Sequence, residues 1–179
     1  LKGLTEALVE MGRDVRLRAV FATSDRLQTE HNAGKPRVLH FSGHVRAKPT
    51  QPSSALHVCA TDMHSLLRFC AQGRKDSLLF EGDNGNGDWV QLSEICGLIA
   101  SGKTSLQLVV IAACNSEGVA QTFVSAGVPC AVAVRLEEKL HDRAAIRFTK
   151  HFYLSLATGK TVRDAFTDGK AAVQSAPEL

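Results

Sequence analysis

Residues 106 to 118, LQLVVIAACNSEG, hold an apolar run of strand length that stops at Cys114 and gives way to a polar Asn115-Ser116-Glu117 able to open a helix. A run as uniformly apolar as LVVIAA suits a strand buried on both faces, as the centre of a parallel sheet requires. A second stretch, RVLHFSGH (37–44), has the same design and delivers His44 where the first delivers Cys114. Two buried strands that end in a cysteine and a histidine define the question the rest of the chain must answer. They are either core residues or a thiol nucleophile with its acid/base partner.

The elements around these strands alternate between helix and strand. LKGLTEALVEMGR carries Leu4, Leu8 and Met11 on one helical face, and DVRLRAVFAT alternates as a strand through Val15, Leu17, Ala19 and Phe21. Thr23, Ser24 and Asp25 can cap a short helix to about Asn32, which Gly34 and Pro36 end. After His44 comes VRAKPTQPSS, a loop by composition, then a short strand in ALHVCA and a helix capped by Thr61 and ended by Gly73. SLLFEGDNGNGDWVQL reads as a hairpin, and Ser93 caps SEICGLIAS. Beyond Cys114, a helix with Val119, Ala120, Phe123 and Val124 on its buried side ends at Gly127-Val128-Pro129, and PCAVAVR is a strand. A long helix from about Glu138 places Leu140, Ala144, Phe148 and Phe152 at steps of four and stops at Gly159; Thr161 with Asp164 then caps the last helix. The expected fold class is therefore α/β, with a mostly parallel sheet covered on both faces.

Length and composition narrow the function. One domain accounts for 179 residues, and 44% hydrophobic with 22% charged residues is globular. A net charge of +3, with cations and anions interspersed, gives no nucleic-acid stripe, and no run is long enough to span a membrane. The five cysteines include no CxxC pair and no spacing with His suited to zinc, so neither a metal nor another cofactor is expected. No signal peptide opens the chain, which points to a reducing, cytoplasmic setting. Leu1 falls in the middle of a helical pattern, so a longer parent chain with a further strand upstream is expected.

A cysteine in an apolar run is most often a small core residue. What favours chemistry at Cys114 is that the strand stops there and a helix N-terminus follows, where the dipole and N–H groups stabilise a thiolate. In parallel sheets ligands bind beyond the carboxyl ends of the strands, and both Cys114 and His44 lie just past such ends. Gly43 allows a sharp turn before His44, whereas His40 sits within its strand and packs or hydrogen-bonds internally. Two motifs mislead. GLIASGKT, Gly97 to Thr104, matches the P-loop pattern but has a helix before it and a strand after it, the reverse of what phosphate binding requires. GDNGNGDW offers Gly85 and Gly87 where an EF-hand loop needs oxygen ligands, and so reads as the hairpin turn.

HFSGH, VVIAACNSEGVAQTFVSAGVP and the late helices RFTKHFYLSLATGKTVRDAF together resemble the CHAT family of caspase-like cysteine peptidases, over most of the chain from Arg37 to Ala171. The resemblance implies a three-layer α/β/α sandwich of the caspase type, and it carries the family's catalytic dyad onto His44 and Cys114. It implies an oxyanion hole from the backbone N–H groups of Cys114 and of Val45 or Gly43, with Asn115, Ser116 and Arg135 as candidates for substrate contact. A protein or peptide substrate and an upstream repeat domain or activating partner follow from it. The pattern departs at Val45, where the family carries glycine; a positive φ is costly for a β-branched residue. The span 45–76 is longer than the family's usual link and reads as an insertion beside the site, either a lid or a surface elaboration. Glu117, Glu137 and Asp142 are acidic residues near the site that read more readily as capping or surface charges. An active peptidase and a silent binding module of the same fold both accommodate these residues.

Overall fold

The computed structural model describes residues 18–20, 23–43, 45–46, 58–59, 77–81, 86–100, 104–113, 116–133 and 142–176. They divide between two compact units, Val20–Lys139 and a unit of Leu1–Ala19 with Leu140–Leu179.

The first unit is built on the two apolar strands. Strand β1 is Val38–Ser42 and pairs in parallel with β6, Leu108–Ala112, in the register Val38↔Leu108 to Ser42↔Ala112. That register is fixed where the strands begin. Gln107 and Leu108 both donate their backbone N–H to the Arg37 carbonyl, the Arg37 guanidinium reaches Gln107 Oε1 at 2.7 Å, and Ser105 Oγ donates to the Pro36 carbonyl at 2.9 Å. Strand β7, Cys130–Ala133, adds in parallel on the other side of β6, and the two-residue β3, Val58–Cys59, closes the order β1-β6-β7-β3 as an antiparallel edge. The expected α/β class with a mostly parallel sheet is what the chain adopts.

Central strand β6 is apolar throughout because it is buried on both parities. Val109 and Ile111 enter the main core, and Leu108 and Val110 are equally inaccessible. Helix α3, Glu117–Ser125, returns from β6 and sinks Val119, Ala120, Phe123 and Val124 into the same core. It ends as expected at Gly127. That residue takes φ +99°, the N–H of Val128 reaches back to the Phe123 carbonyl, and that of Gly127 to Val124, so two orphan carbonyls are satisfied.

The predicted hairpin forms. Strands β4 (Ser77–Glu81) and β5 (Gly87–Gln91) pair antiparallel, and residues 82–85 of the turn lie outside the described residues. A third strand joins them. β2, Val45–Arg46, pairs with Leu78 and Ser77, so the segment expected to leave His44 as a loop begins instead as an edge strand. Composition hides this, because two residues are too short for any periodicity and the pairing partner is thirty residues away. The small sheet shares the core with the large one: Phe41 of β1 meets Phe80 of β4 with ring centroids 5.9 Å apart.

Several boundaries differ from expectation. Thr23 caps α1 (Ser24–Thr29) through Oγ1, which accepts from Arg26 N, but the helix runs on as a π turn, Glu30–Gly34, and it is Lys35 that turns left-handed at φ 43°. Helix α2 is Leu92–Ala100, so Ser93 lies inside its first turn rather than at its cap; Leu92, 3% exposed, is drawn into the core and starts the helix early. Of the strand expected over 14–23, residues 18–20 are irregular and exposed. The expected helices over 1–13 and 61–73 lie outside the described residues, as do 134–141 at the start of the late helix.

The second unit contains the helix pair α4, Asp142–Ala157, and α5, Val162–Gln174. Gly159 stops α4 at φ +90°, with Gly159 N donating to Leu156 O and Lys160 N to Ser155 O. Thr161 caps α5 in the expected box with Asp164, its Oγ1 accepting from Asp164 N at 3.2 Å and donating to Oδ2 at 2.7 Å. Lys160 and Ser155 both hydrogen-bond Asp168 Oδ2, and together they hold that carboxyl below its ordinary pKa.

The pair closes around Phe148, which stacks on Phe152 and meets Phe166 edge-on, both at 5.5 Å. Gly169 lies directly beneath: a Cβ there would sit 2.8 Å from Phe148 Cδ2 and Cε2 and 3.2 Å from its carbonyl oxygen. Alanine is the better helix former by about 1 kcal/mol, yet this overlap involves a ring held by two aromatic neighbours and a backbone atom that cannot rotate away. Gly169→Ala should therefore destabilise by about 1–2 kcal/mol net, since overpacking costs of this kind reach about 1–3 kcal/mol. Thermal melting would read it, and a raised Tm would contradict the packing.

Candidate active site

The carboxyl ends of β1 and β6 lie side by side, and that edge is where the site residues converge in sequence. Ser42 is the register partner of Ala112, the last pair of the ladder. His44 stands two residues beyond Ser42, and Cys114 two residues beyond Ala112. His44, Cys114, Asn115 and Arg135 themselves lie outside the described residues.

Around them the flanking residues are well defined. Gly43 is exposed at the end of β1, and a Cβ on it would lie 3.0 and 3.1 Å from Cζ and Cε1 of Phe41. That ring is buried against Phe80, so a side chain at 43 would crowd it. Val45 follows in β2, an extended strand paired with Leu78. Among the described residues, Lys35 is the one non-glycine residue with positive φ. The strain anticipated for a valine at this position does not arise, because a β-branched residue is at home in a strand. His40, expected to be internal, occupies β1 opposite Val110, where burial lowers its pKa and favours the neutral imidazole.

On the other side of the site, Ala113 is buried and Ser116 is wholly so. Ser116 donates its hydroxyl to the Ile111 carbonyl, five residues back in the chain, at 3.1 Å. The Ser116 hydroxyl is thus buried in a structural bond. In the sequence this residue reads as part of a helix start; that its hydroxyl turns to the strand is set by tertiary packing. Glu117 begins α3 and is half-buried, consistent with a first-turn acid favoured by the helix dipole.

Among the described residues, no three of His, Cys, Asp or Glu converge so as to hold a metal ion, and no helix is long and apolar enough to cross a membrane. Cys96 is half-buried, its Sγ 3.6 Å from the Thr122 carbonyl, and Cys130 is buried in β7; both are core residues of the kind expected.

No curated protein matches the chain. A family model described as CHAT domain matches it over residues 2–179, nearly end to end. The resemblance carried by HFSGH and AACNSEG, and the mostly parallel sheet that sets these two stretches on neighbouring strands, agree with that match. The chain belongs to the CHAT-domain family, whose fold is the caspase-like α/β sandwich.

Proposed function

We propose that this chain is a caspase-like cysteine endopeptidase that cleaves peptide bonds with Cys114 as nucleophile and His44 as acid and base. The observation that carries the reading is the equal offset of the two residues beyond the paired Ser42 and Ala112 on adjacent parallel strands. Two residues of chain reach at most about 7 Å, which supports reading both residues at this edge of the sheet.

The chemistry follows from those roles. The Cys114 thiolate attacks the scissile carbonyl carbon, forming a C–S bond and moving the carbonyl π electrons onto oxygen. The N–H of Cys114 and that of Gly43 or Val45 hold the resulting oxyanion. The His44 imidazolium gives its proton to the departing amine nitrogen as the C–N bond breaks, which leaves a thioester. His44, now neutral, takes a proton from water as it attacks the thioester, and the second product leaves as a carboxylate with Cys114 restored. Asn115 and Arg135 remain the candidates for contact with the peptide, and an upstream segment or activating partner for its control. The positive-φ strain that favoured a silent module is absent at Val45, since that residue stands in an extended strand.

His44→Ala should lower kcat/KM for a fluorogenic peptide by about 10²–10⁴-fold, the usual worth of a positioned general acid/base. The assay uses the full-length parent protein in its activated state and a mixed peptide pool. Hydrolysis that persisted within about threefold, well inside the range for a residue remote from chemistry, would remove His44 from the mechanism.

A further inference from the structure

Beyond its first residue, Asp142, helix α4 carries two arginines, one lysine and no acid. Arg143, Arg147 and Lys150 are all exposed. Together with Ile146 they fall within about 100° of the helix's circumference and along about 10 Å of its axis. Ile146, 70% exposed, is the most open large hydrophobic side chain among the described residues. The cations are placed against the helix's own interest. Arg143 and Arg147 stand four apart, and Arg147 and Lys150 three apart, so like charges adjoin where alternating signs would stabilise. Arg143 also lies in the first turn, at the positive end of the helix dipole. Helix α5 does not offset this charge. Its Asp164 is engaged with Thr161, and its Asp168 with Lys160 and Ser155, beside the turn at the far end of α4. Neither Arg143 nor Lys150 pairs with an acid among the described residues.

Arg147 is already set for a partner. Its Nε–H donates to the Ala172 carbonyl of α5 at 2.6 Å, and that carbonyl also accepts the Ser175 hydroxyl at 3.1 Å. The guanidinium is thereby pinned at one nitrogen, while its Nη groups bond to none of the described residues. A planar fork held in this way suits a carboxylate, and the freedom it has already lost need not be lost on binding. We infer that this face of α4 is a docking surface for an acidic segment of a partner protein, whose carboxylates meet Arg143, Arg147 and Lys150 and whose apolar side chain covers Ile146. Charge complementarity selects the occupant, as in other recognition of acidic motifs by arginine clusters. The isoleucine separates a protein from a nucleic acid. A sugar–phosphate backbone meets cations through its charge and gains nothing from an aliphatic side chain set among them. No reacting residue enters the inference, which stands apart from the peptidase reading.

The test is a binding titration. The probe is a fluorescein-labelled peptide of about a dozen residues, glutamates around one central leucine, titrated with the full-length protein at low salt and read by anisotropy. It should bind with a Kd on the order of 100 μM or tighter. Arg147→Glu should weaken binding at least about tenfold, and Arg143→Glu or Lys150→Glu at least about fivefold, because each sets like charges across the interface. The last two variants break no bond within the described residues, so they carry the test if Arg147→Glu unsettles the contact with Ala172. Ile146→Ser should weaken the leucine peptide about threefold and leave a peptide with serine in place of leucine unchanged, the coupling expected of a direct contact. Absence of binding to the parent protein, or binding that all three charge reversals leave within about twofold, would overturn the inference. So would a single-stranded RNA of equal net charge that bound more tightly than the peptide and was indifferent to Ile146→Ser, since the face would then be a general polyanion surface.

Discussion

Cys114→Ala should reduce peptide hydrolysis by at least about 10³-fold, because removing a covalent nucleophile removes the intermediate and leaves only what binding and the oxyanion donors contribute. The substitution takes one sulfur from the chain between the buried Ala113 and the buried Ser116, and it leaves the Ser116–Ile111 bond in place. Lost turnover with an unchanged melting curve would locate the effect in chemistry. Combining Cys114→Ala with His44→Ala should add little to either, since residues that act as one unit are strongly non-additive. Additive losses would mean that the two residues serve separate steps. The pair is measured with the same fluorogenic pool in the full-length protein.

Phe123→Ala should destabilise the strand-bearing unit by about 3–5 kcal/mol, the usual cost of removing a fully buried aromatic side chain. Phe123 is 1% exposed and lies in the core that also holds Val109 and Ile111 of β6. Its carbonyl, in addition, receives the Val128 N–H that ends α3. A cavity there loosens the helix that follows Cys114 and the strand that precedes it. Because a domain of this size is stable by only about 5–15 kcal/mol, the variant should show a much lower urea midpoint and lose activity with it. A midpoint unchanged from the parent would mean that α3 is not seated as described.

The parts of the fold written in local chemistry were legible. The continuous apolar runs marked β6 and β7, the glycines at 127 and 159 ended their helices in the left-handed conformation, and Thr161 with Asp164 built the expected box. In each case a single residue's conformational preference or one hydrogen bond decided the outcome. Features decided by distant partners were not legible. Val45–Arg46 is a strand only because Leu78 and Ser77 pair with it, and α2 starts at Leu92 because the core claims that leucine. Ser116 illustrates the difference within the site. Its place at a helix start was readable, but the bond of its hydroxyl to a carbonyl five residues back was not. Gly43 is the converse: the glycine was read as permitting a turn, while the Phe41 ring that a side chain there would crowd belongs to the packing. The two strand ends were read as neighbours, and the parallel register Ser42↔Ala112 supplies the physical reason they adjoin.

The most direct measurement is covalent. The full-length protein, activated, is treated with a peptide chloromethyl ketone, whose chloride the cysteine thiolate displaces, then digested, and the adduct is mapped by mass spectrometry. The account predicts a single thioether at Cys114, absent from Cys114→Ala and slowed in His44→Ala. An adduct confined to other cysteines, or labelling of Cys114 that His44→Ala leaves unaltered, would contradict it.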